Sequence, residues 1–352
     1  MSYPAIMAVT ANILVTGGTG FIGRYVVRSL IREGQPVRLL SRTPSKARRL
    51  FGEAATLAEG DLLDPASLER ACRGVETVLN LGGLYEFGAR HRHALWETNV
   101  IGTNNLLTAA WQARVERVVH CSTAGILTAS PDPDAPPGLP AKPPRSCHYK
   151  QSKWHGERLA LDWARRGLPV MIASPTALIG AEDERPTPTG RMIVDLLAGR
   201  FPCYSATGLN VIAVEDVAEG ILTIARQGRA GERYVLANRN MWLGELLQMA
   251  AAAAGVKAPR FVVPWPLIAL GGALGEMWGL TTGAGNGRLC WETAYFAKQR
   301  QFFDLARCAN GLAWLPGKPI ENAVAETISW IRGQRTRSAQ SAVLTLQPEA
   351  PA

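Results

Sequence analysis

Two side chains that could exchange a proton stand four residues apart, Tyr149 and Lys153. An unperturbed tyrosine has a pKa near ~10, too high for acid–base catalysis at neutral pH. A lysine ammonium one helical turn away favours the phenolate and lowers that pKa. Upstream, Ser122 and Thr123 follow an apolar strand pattern, where a hydroxyl can hold a substrate oxygen that gains charge. These four residues predict catalytic proton transfer at an oxygen atom.

A glycine-rich loop near the start predicts the partner of that chemistry. It follows an apolar strand pattern and opens an amphipathic helical one, and its residues are Gly17, Gly20, Phe21, Ile22 and Gly23. In a βαβ unit such glycines permit a tight turn out of the strand, let the backbone approach the pyrophosphate, and allow the helix to pack closely on the strand. The phosphates then meet the positive end of the helix. The loop predicts a bound dinucleotide and nicotinamide redox chemistry, with Lys153 also bonding the nicotinamide ribose.

The residues after the second strand pattern distinguish the two nicotinamide cofactors. An NAD site usually has a carboxylate there to bond the ribose 2′-hydroxyl. This chain has Arg42 and Lys46 there, and we expect no carboxylate to oppose them. Both cations can pair with a 2′-phosphate, although Arg42 as a solvated loop charge is the alternative. The sequence favours NADP over NAD.

Two further segments are expected to border the cofactor because of their place after strands. Asp61 and Leu62 follow the third strand pattern, where Asp61 would accept from the adenine amino group. Leu81, Gly82 and Gly83 end the fourth strand pattern, and the two small glycines allow the backbone to approach the cofactor.

The elements that position these residues alternate between strand and helix patterns, which is typical of a parallel sheet with crossover helices. Helical patterns cover about 93–113 and 149–165. We therefore predict an α/β fold with a Rossmann-type doubly wound parallel sheet. The predicted strands are 12–16, 37–40, 55–59, 77–81, 117–121 and 169–174.

The alternation weakens after Gly180, where proline and glycine become frequent. We expect a dinucleotide-binding domain over 1–180 and a smaller, interleaved substrate-binding lobe over 181–332. Strands at 210–214 and 234–237 are expected to return to the main sheet. A terminal helix is predicted over 320–332, followed by a disordered tail over 333–352.

Composition narrows the possible partners. The net charge is +9, but apart from one cluster at 42–49 the cations are scattered, which argues against nucleic-acid binding. The six cysteines lack metal-binding or CxxC spacing, and the first ten residues do not resemble a secretory signal. We expect no metal site and a cytoplasmic protein with reduced thiols.

The longest apolar stretch covers 261–280 and is interrupted by two prolines, four glycines and Glu276. These interruptions argue against an integral membrane span. A helix buried against the second lobe is expected, with peripheral membrane contact as the alternative.

The motifs together resemble an extended short-chain dehydrogenase/reductase over about residues 11–332. Within that family the chain is similar to the dihydroflavonol-reductase-like branch, and most of all to proteins called hopanoid-associated sugar epimerases. The matching segments are TGGTGFIG at 16–23, GDLLDP at 60–65, TNVIGTNNLL at 98–107, CSTAG at 121–125, YKQSK at 149–153, PTPTGRMIVDLLAGR at 186–200, TGLN at 207–210 and VEDVAEG at 214–220.

The resemblance assigns further roles. It implies that Thr123 is the catalytic hydroxyl with Ser122 as a possible substitute, that Asn99 supports the site, and that Pro175 and Thr176 flank the nicotinamide. It also implies a homodimer formed by the helices at 93–113 and 149–165. The chain departs from the family pattern at two places, with Gly82-Gly83 where alanines are usual and Asn80 where histidine is usual.

Three residues are candidates for substrate contact. Tyr85 and Phe87 follow the fourth strand and could line a pocket, and Arg191 could meet an anionic group or form a surface salt bridge. The expected function is an NADPH-dependent ketone or aldehyde reductase, or alcohol dehydrogenase, acting on a hydrophobic small molecule. Two alternatives stay open: an NAD-dependent epimerase or dehydratase of a nucleotide- or lipid-linked sugar, and a cofactor-binding scaffold without catalysis.

Overall fold

A seven-stranded parallel sheet forms the main body of the fold. The computed structural model describes residues 12–128, 137–144, 147–201, 203–282, 290–308 and 311–345. The strands of all its sheets are β1 (Ile13–Thr16), β2 (Val37–Ser41), β3 (Thr56–Glu59), β4 (Thr77–Asn80), β5 (Arg117–Cys121), β6 (Val170–Pro175), β7 (Ala177–Ile179), β8 (Cys203–Tyr204), β9 (Gly208–Ala213), β10 (Arg233–Leu236), β11 (Arg239–Trp242) and β12 (Phe261–Val262).

The main sheet has the order β10-β6-β5-β4-β1-β2-β3. The order reverses between β1 and β4, where doubly wound sheets bind ligands beyond the carboxyl ends of the strands. The predicted Rossmann-type α/β class is confirmed. The six strands predicted in the first half form with bounds that differ by no more than one residue from those expected.

Helices cover both faces of this sheet. The helices of the described chain are α1 (Phe21–Arg32), α2 (Pro44–Phe51), α3 (Pro65–Cys72), α4 (Arg92–Trp96), α5 (Gly102–Gln112), α6 (His148–Arg165), α7 (Pro188–Leu197), α8 (Val214–Gln227), α9 (Leu243–Ala254), α10 (Trp265–Thr282), α11 (Trp291–Phe296), α12 (Leu305–Cys308) and α13 (Ile320–Thr345). Successive strand residues point to opposite faces. Val15 therefore packs with α1 and α8, and Leu14 with α3, α5 and α6.

The second core lies between a three-stranded sheet, β11-β9-β7, and helices α7, α9 and α13. The strand predicted at 210–214 forms as β9, but its expected return to the main sheet is wrong. The place beside β6 is taken by β10, while Val211 and Ala213 of β9 pack into the second core. The strand predicted at 234–237 does join the main sheet, as β10. The domain limits at 180 and 332 stay a prediction.

Two predictions for the last third of the chain are corrected. The terminal helix continues to Thr345, so disorder over 333–345 is wrong, because 334–345 contains no glycine or proline. Residues 346–352 lie outside the described residues. The apolar segment forms α10, but one of its faces is exposed rather than buried. Among the described residues, no helix is long and apolar enough to cross a membrane.

Candidate active site

The predicted catalytic side chains meet where β5 ends and α6 begins. Tyr149 and Lys153 lie one turn apart on α6, and the Thr123 side chain hydrogen-bonds the Tyr149 hydroxyl. Lys153 Nζ donates to the carbonyl oxygen of Cys121 at 2.7 Å. Ser122 is buried beside them, but its hydroxyl has no partner among the described residues. Of the two candidate hydroxyls, Thr123 is therefore the one that contacts the tyrosine.

The electrostatics of Tyr149 differ from the expectation. Burial raises its pKa well above the ordinary value, and the nearby Tyr85 and Cys121 raise it further, while the Thr123 hydrogen bond lowers it. The expected net lowering of this pKa is wrong, because burial makes the phenolate anion costly. Burial also lowers the pKa of Lys153. Tyr149 is held as a neutral phenol, which is a proton donor.

Asn99 connects the loop after β4 to α6. It lies in a π-helical turn, Glu97–Ile101, that joins α4 to α5 within the predicted helix at 93–113. Its Oδ1 accepts from Leu84 N at 2.8 Å, and its Nδ2 donates to Leu84 O at 3.0 Å and Ser152 Oγ at 2.9 Å. The amide is thus engaged by protein atoms on both sides. The geometry gives Asn99 a positioning role, and its predicted place among the cofactor-binding residues stays a prediction.

The glycine loop leaves no room for side chains where β1 turns into α1. A Cβ on Gly17 would lie 2.5 Å from Leu81 O, and one on Gly23 would lie 2.2 Å from Gly17 O. Gly17 also has φ +67°, which favours glycine. A Cβ on Gly20 would meet only Gly17 O, at 3.1 Å. The first turn of α1 has no acidic residue, so this bare, positive helix end fits a pyrophosphate.

Two other loop residues use their side chains for packing. The Phe21 ring contacts the Tyr25 ring edge to face at 6.3 Å, and Ile22 packs on the main core. Only their backbone N–H groups are therefore placed to serve a phosphate.

The cations expected at the 2′-position face carboxylates that the local sequence does not show. Lys46 Nζ lies 2.9 Å from Glu184, and Arg42 Nε lies 3.7 Å from Asp61 Oδ2. The expectation that no carboxylate opposes them is wrong, because Glu184 comes from 138 residues further along the chain. The Lys46 pair is a close ion pair. Arg42 is bound loosely, and its side chain is 75% exposed.

The segments after β3 and β4 pack closely against each other. Gly82 N donates to Thr16 Oγ1 at 3.0 Å, and a Cβ on Gly82 would lie 3.0 Å from both Leu62 and Thr16. A Cβ on Gly83 would lie 3.3 Å from Asn99 Oδ1. Both glycines thus allow the loop that begins at Leu81 to lie against the end of β1. Their contact with the cofactor stays a prediction.

The predicted nicotinamide-flanking pair lies at the same edge of the sheet. Pro175 ends β6, and Thr176 Oγ1 donates to Asn210 Oδ1 at 2.8 Å. Because Asn210 belongs to β9, Thr176 ties the main sheet to the second lobe beside the site.

An aromatic wall covers Tyr149. The Tyr85 ring lies 4.3 Å from the Tyr149 ring, and the Phe87 ring lies 6.0 Å from it. Phe296 of α11, which the sequence did not indicate, extends this wall at 5.2 Å from Phe87. Arg191 lies on α7, where its charge lowers the pKa of Asp183 against the raising effect of burial, and its contact with substrate stays a prediction.

Sequence reasoning also missed two buried polar residues that hold the site together. Glu292 accepts from Gly88 N at 2.9 Å and His148 N at 2.7 Å, which joins α11 to both the wall and the start of α6. His120 accepts from Asn80 at 3.0 Å, and burial and Lys153 lower its pKa well below the ordinary value. The signal in the sequence that could have pointed to His120 was its partner Asn80, which stands where the family pattern has histidine.

Comparisons with known proteins agree with this geometry. The family described as the NAD dependent epimerase/dehydratase family matches residues 13–237. A protein named as a dihydroflavonol 4-reductase in Synechocystis sp. is 32% identical over 325 residues, which cover 90% of this chain and 94% of the relative. Sterol demethylase protein B of Methylococcus capsulatus is 33% identical over 252 residues, covering 71% and 77%.

A solved structure extends the similarity to the whole fold. The crystal structure of gox2253 is 34% identical, with a TM-score of 0.79, and the match covers 92% of this chain and 98% of that one.

Proposed function

From the premise that this chain belongs to the NAD dependent epimerase/dehydratase family, and so is an NAD(P)-dependent oxidoreductase, we propose that it is a carbonyl reductase. The proposed reaction transfers hydride from NADPH to a ketone or aldehyde of a hydrophobic small molecule. The observation that carries this proposal is the place of the Tyr149 hydroxyl, near Thr123, one helical turn from Lys153 and beneath an aromatic wall. A neutral phenol suits protonation of a reduced oxygen.

The residues divide the work of such a reduction. Bound NADPH supplies the hydride that forms the new C–H bond. The Thr123 and Tyr149 hydroxyls hold the carbonyl oxygen, and Tyr149 gives it a proton as charge develops there. The ammonium of Lys153, one turn away, stabilises the phenolate that remains. Because burial raises the pKa of Tyr149, the proton leaves only when a strongly basic oxygen is present.

The wall and the relatives support a hydrophobic substrate. Tyr85, Phe87 and Phe296 present aromatic surface next to the reacting hydroxyl. The two curated relatives are named for a dihydroflavonol and a sterol, both compounds with fused rings. We therefore propose a ring-containing ketone, or the corresponding alcohol in the reverse direction, as the substrate class.

Cofactor choice rests on Arg42 in this proposal. Its guanidinium is exposed and only loosely held by Asp61, so it is available to a 2′-phosphate. Lys46 is already paired with Glu184 and contributes less. Arg42→Ala should weaken NADPH binding about tenfold and leave NADH binding unchanged. Arg48→Ala, on the neighbouring helix, is the matched control.

The same carboxylates favour a second candidate function. Asp61 and Glu184 partly neutralise the two cations, which suits NAD better than NADPH. An epimerase or dehydratase that keeps NAD through oxidation and re-reduction of a nucleotide- or lipid-linked sugar is therefore the alternative.

One experiment separates the two functions. Mass spectrometry identifies the nicotinamide cofactor released when freshly purified protein is denatured. Stoichiometric NAD would contradict the reductase and support the epimerase. An empty site that binds NADPH more tightly than NADH, and oxidises it with steroid or flavonoid ketones, would support the reductase.

We also propose a cytoplasmic homodimer. The apolar side chains of Trp96, Ile101 and Trp111 are exposed on α4, the π-helical turn and α5, where the resemblance implies an interface. None of the six cysteines, which all lie in the described part of the chain, is in a disulfide, and this is compatible with a reducing compartment. Sedimentation of the wild type and of Ile101→Glu tests the interface, and an unchanged mass would contradict it.

A further inference from the structure

Helix α10 differs from a usual amphipathic helix, because its small residues face the protein and its large apolar residues face outward. Its inner face carries small residues: Ala269 is buried, and a Cβ on Gly272 would lie 2.8 Å from Ala294 Cβ of α11. Its outer face, called here the α10 face, carries large apolar residues that are 54% to 66% exposed: Leu267, Leu270, Leu274, Met277 and Trp278. These positions repeat at helical spacing and so share one side.

Further large apolar residues are exposed on the segments before and after α10. Phe261 is 72% exposed and Val262 is also exposed, on the short strand β12 just before the helix. Trp291 is exposed at the start of α11. Large contiguous apolar patches are rare on proteins that act alone in water and mark interaction surfaces. Something of apolar character therefore covers this face.

The charge around the α10 face is positive. Residues 255–301 contain five basic and two acidic residues. Glu276 accepts from Trp291 N at 3.1 Å at the surface, and Glu292 is buried. The described basic residues of this segment are all exposed: Lys257, Arg260, Lys298 and Arg300. An apolar face among exposed cations complements an anionic lipid surface, into which tryptophan also partitions well.

The α10 face lies one helix away from the proposed active site. The inner side of α10 packs on α11, and Phe296 of α11 belongs to the aromatic wall over Tyr149. Glu292 of α11 bonds the first helical residue of α6. A surface that the α10 face touches is thus adjacent to the substrate wall.

We propose that the α10 face docks this protein on the surface of an anionic lipid bilayer. The docking is peripheral, since none of the described helices could cross a membrane. A second copy of the chain fits less well, because a two-fold interface through this face would bring the same cations together. That the hydrophobic substrate enters from the bilayer rests on the proposed function; the docking itself does not.

Vesicle flotation tests the docking with no substrate present. Full-length protein is floated with vesicles of phosphatidylglycerol and phosphatidylcholine in equal parts, and with phosphatidylcholine alone. We expect binding to the anionic vesicles and loss of most of it at high salt. Leu270→Ser with Met277→Ser should weaken binding at least about tenfold, while exposed Leu315→Ser on another surface should not.

A second pair of variants tests the charge. Lys257→Gln with Arg260→Gln should weaken binding about tenfold to thirtyfold, and Arg70→Gln with Arg73→Gln on and after α3 is the control. Equal binding to both vesicle types, or none, overturns the proposal. So does a change from dimer to monomer caused by the α10 variants alone, since a second copy would then cover the face. Flotation of Tyr149→Phe like the wild type separates this result from the proposed reaction.

Discussion

Helices α6 and α10 are both 18 residues long, and both depart from the rule that apolar side chains are buried and charged ones exposed, but in opposite senses. Helix α6 buries charged groups: Lys150 Nζ donates to Gln299 at 2.6 Å, and Glu157 pairs with Arg233 at 2.6 Å. Helix α10 exposes large apolar groups. Buried charge persists where the fold itself supplies partners. Exposed apolar surface indicates that the partner lies outside the chain.

The largest expected effect is on the reaction itself. Tyr149→Phe removes the proton donor and should lower kcat by about 10²- to 10⁴-fold, with NADPH affinity retained. Thr123→Ala should also lower kcat, and Ser122→Ala much less, because Thr123 is the hydroxyl that bonds Tyr149. Steady-state kinetics with a responsive ketone measures all three. Near wild-type turnover by Tyr149→Phe would falsify the proposed mechanism.

The next largest effect is expected on stability, when a buried charge of α6 loses its ion-pair partner. Arg233→Met leaves the fully buried Glu157 carboxylate without its guanidinium and should lower the free energy of unfolding by about 3–5 kcal/mol. Arg239→Met, whose ion pair with Glu321 is exposed, should change it by less than about 1 kcal/mol. Urea unfolding measures both. Similar losses of unfolding free energy in the two variants would mean that burial does not determine how much each ion pair contributes to stability.

The second buried cation of α6 predicts a pH dependence. Burial lowers the pKa of Lys150 from 10.5 to about 8, so its charged form opposes folding. The cost is complete below pH 8, where Lys150 is charged in both states, and disappears as the pH rises to 10.5. Lys150→Met should therefore stabilise the protein by on the order of 2 kcal/mol at pH 7.

The measurement is the difference in unfolding free energy between Lys150→Met and the wild type across that range. The advantage of the variant should shrink from pH 8 to 10.5. A constant difference would show that Lys150 is not penalised by burial.

The smallest effect is expected on the outer side of α10. Leu274→Ser should change the free energy of unfolding by no more than about 0.5 kcal/mol, because the side chain is already exposed. Gly272→Val, on the inner side, should cost about 1–3 kcal/mol, since its Cβ would already lie 2.8 Å from Ala294. Thermal unfolding of both variants tests this contrast. A large loss from Leu274→Ser would mean that the outer side packs within the chain.

Sequence reasoning was most accurate where function depends on neighbours in the chain. The glycine loop and the Tyr149–Lys153 spacing are local patterns, and the turn and the shared helix side follow from backbone geometry. It was least accurate for α10, where hydrophobicity predicted burial. Apolar composition shows that a helix avoids water, but it does not show which side packs or on what.

The sequence by itself determined the parallel sheet, the glycine turn and the placing of Tyr149 and Lys153 on one helix, because strand and helix periodicities act over a few residues. Only the tertiary structure decided which groups meet across long separations. It set Glu184 against Lys46, Phe296 against Phe87, and Glu292 against the start of α6. It also raised the pKa of Tyr149, because burial depends on every element packed around the site rather than on the neighbouring residues.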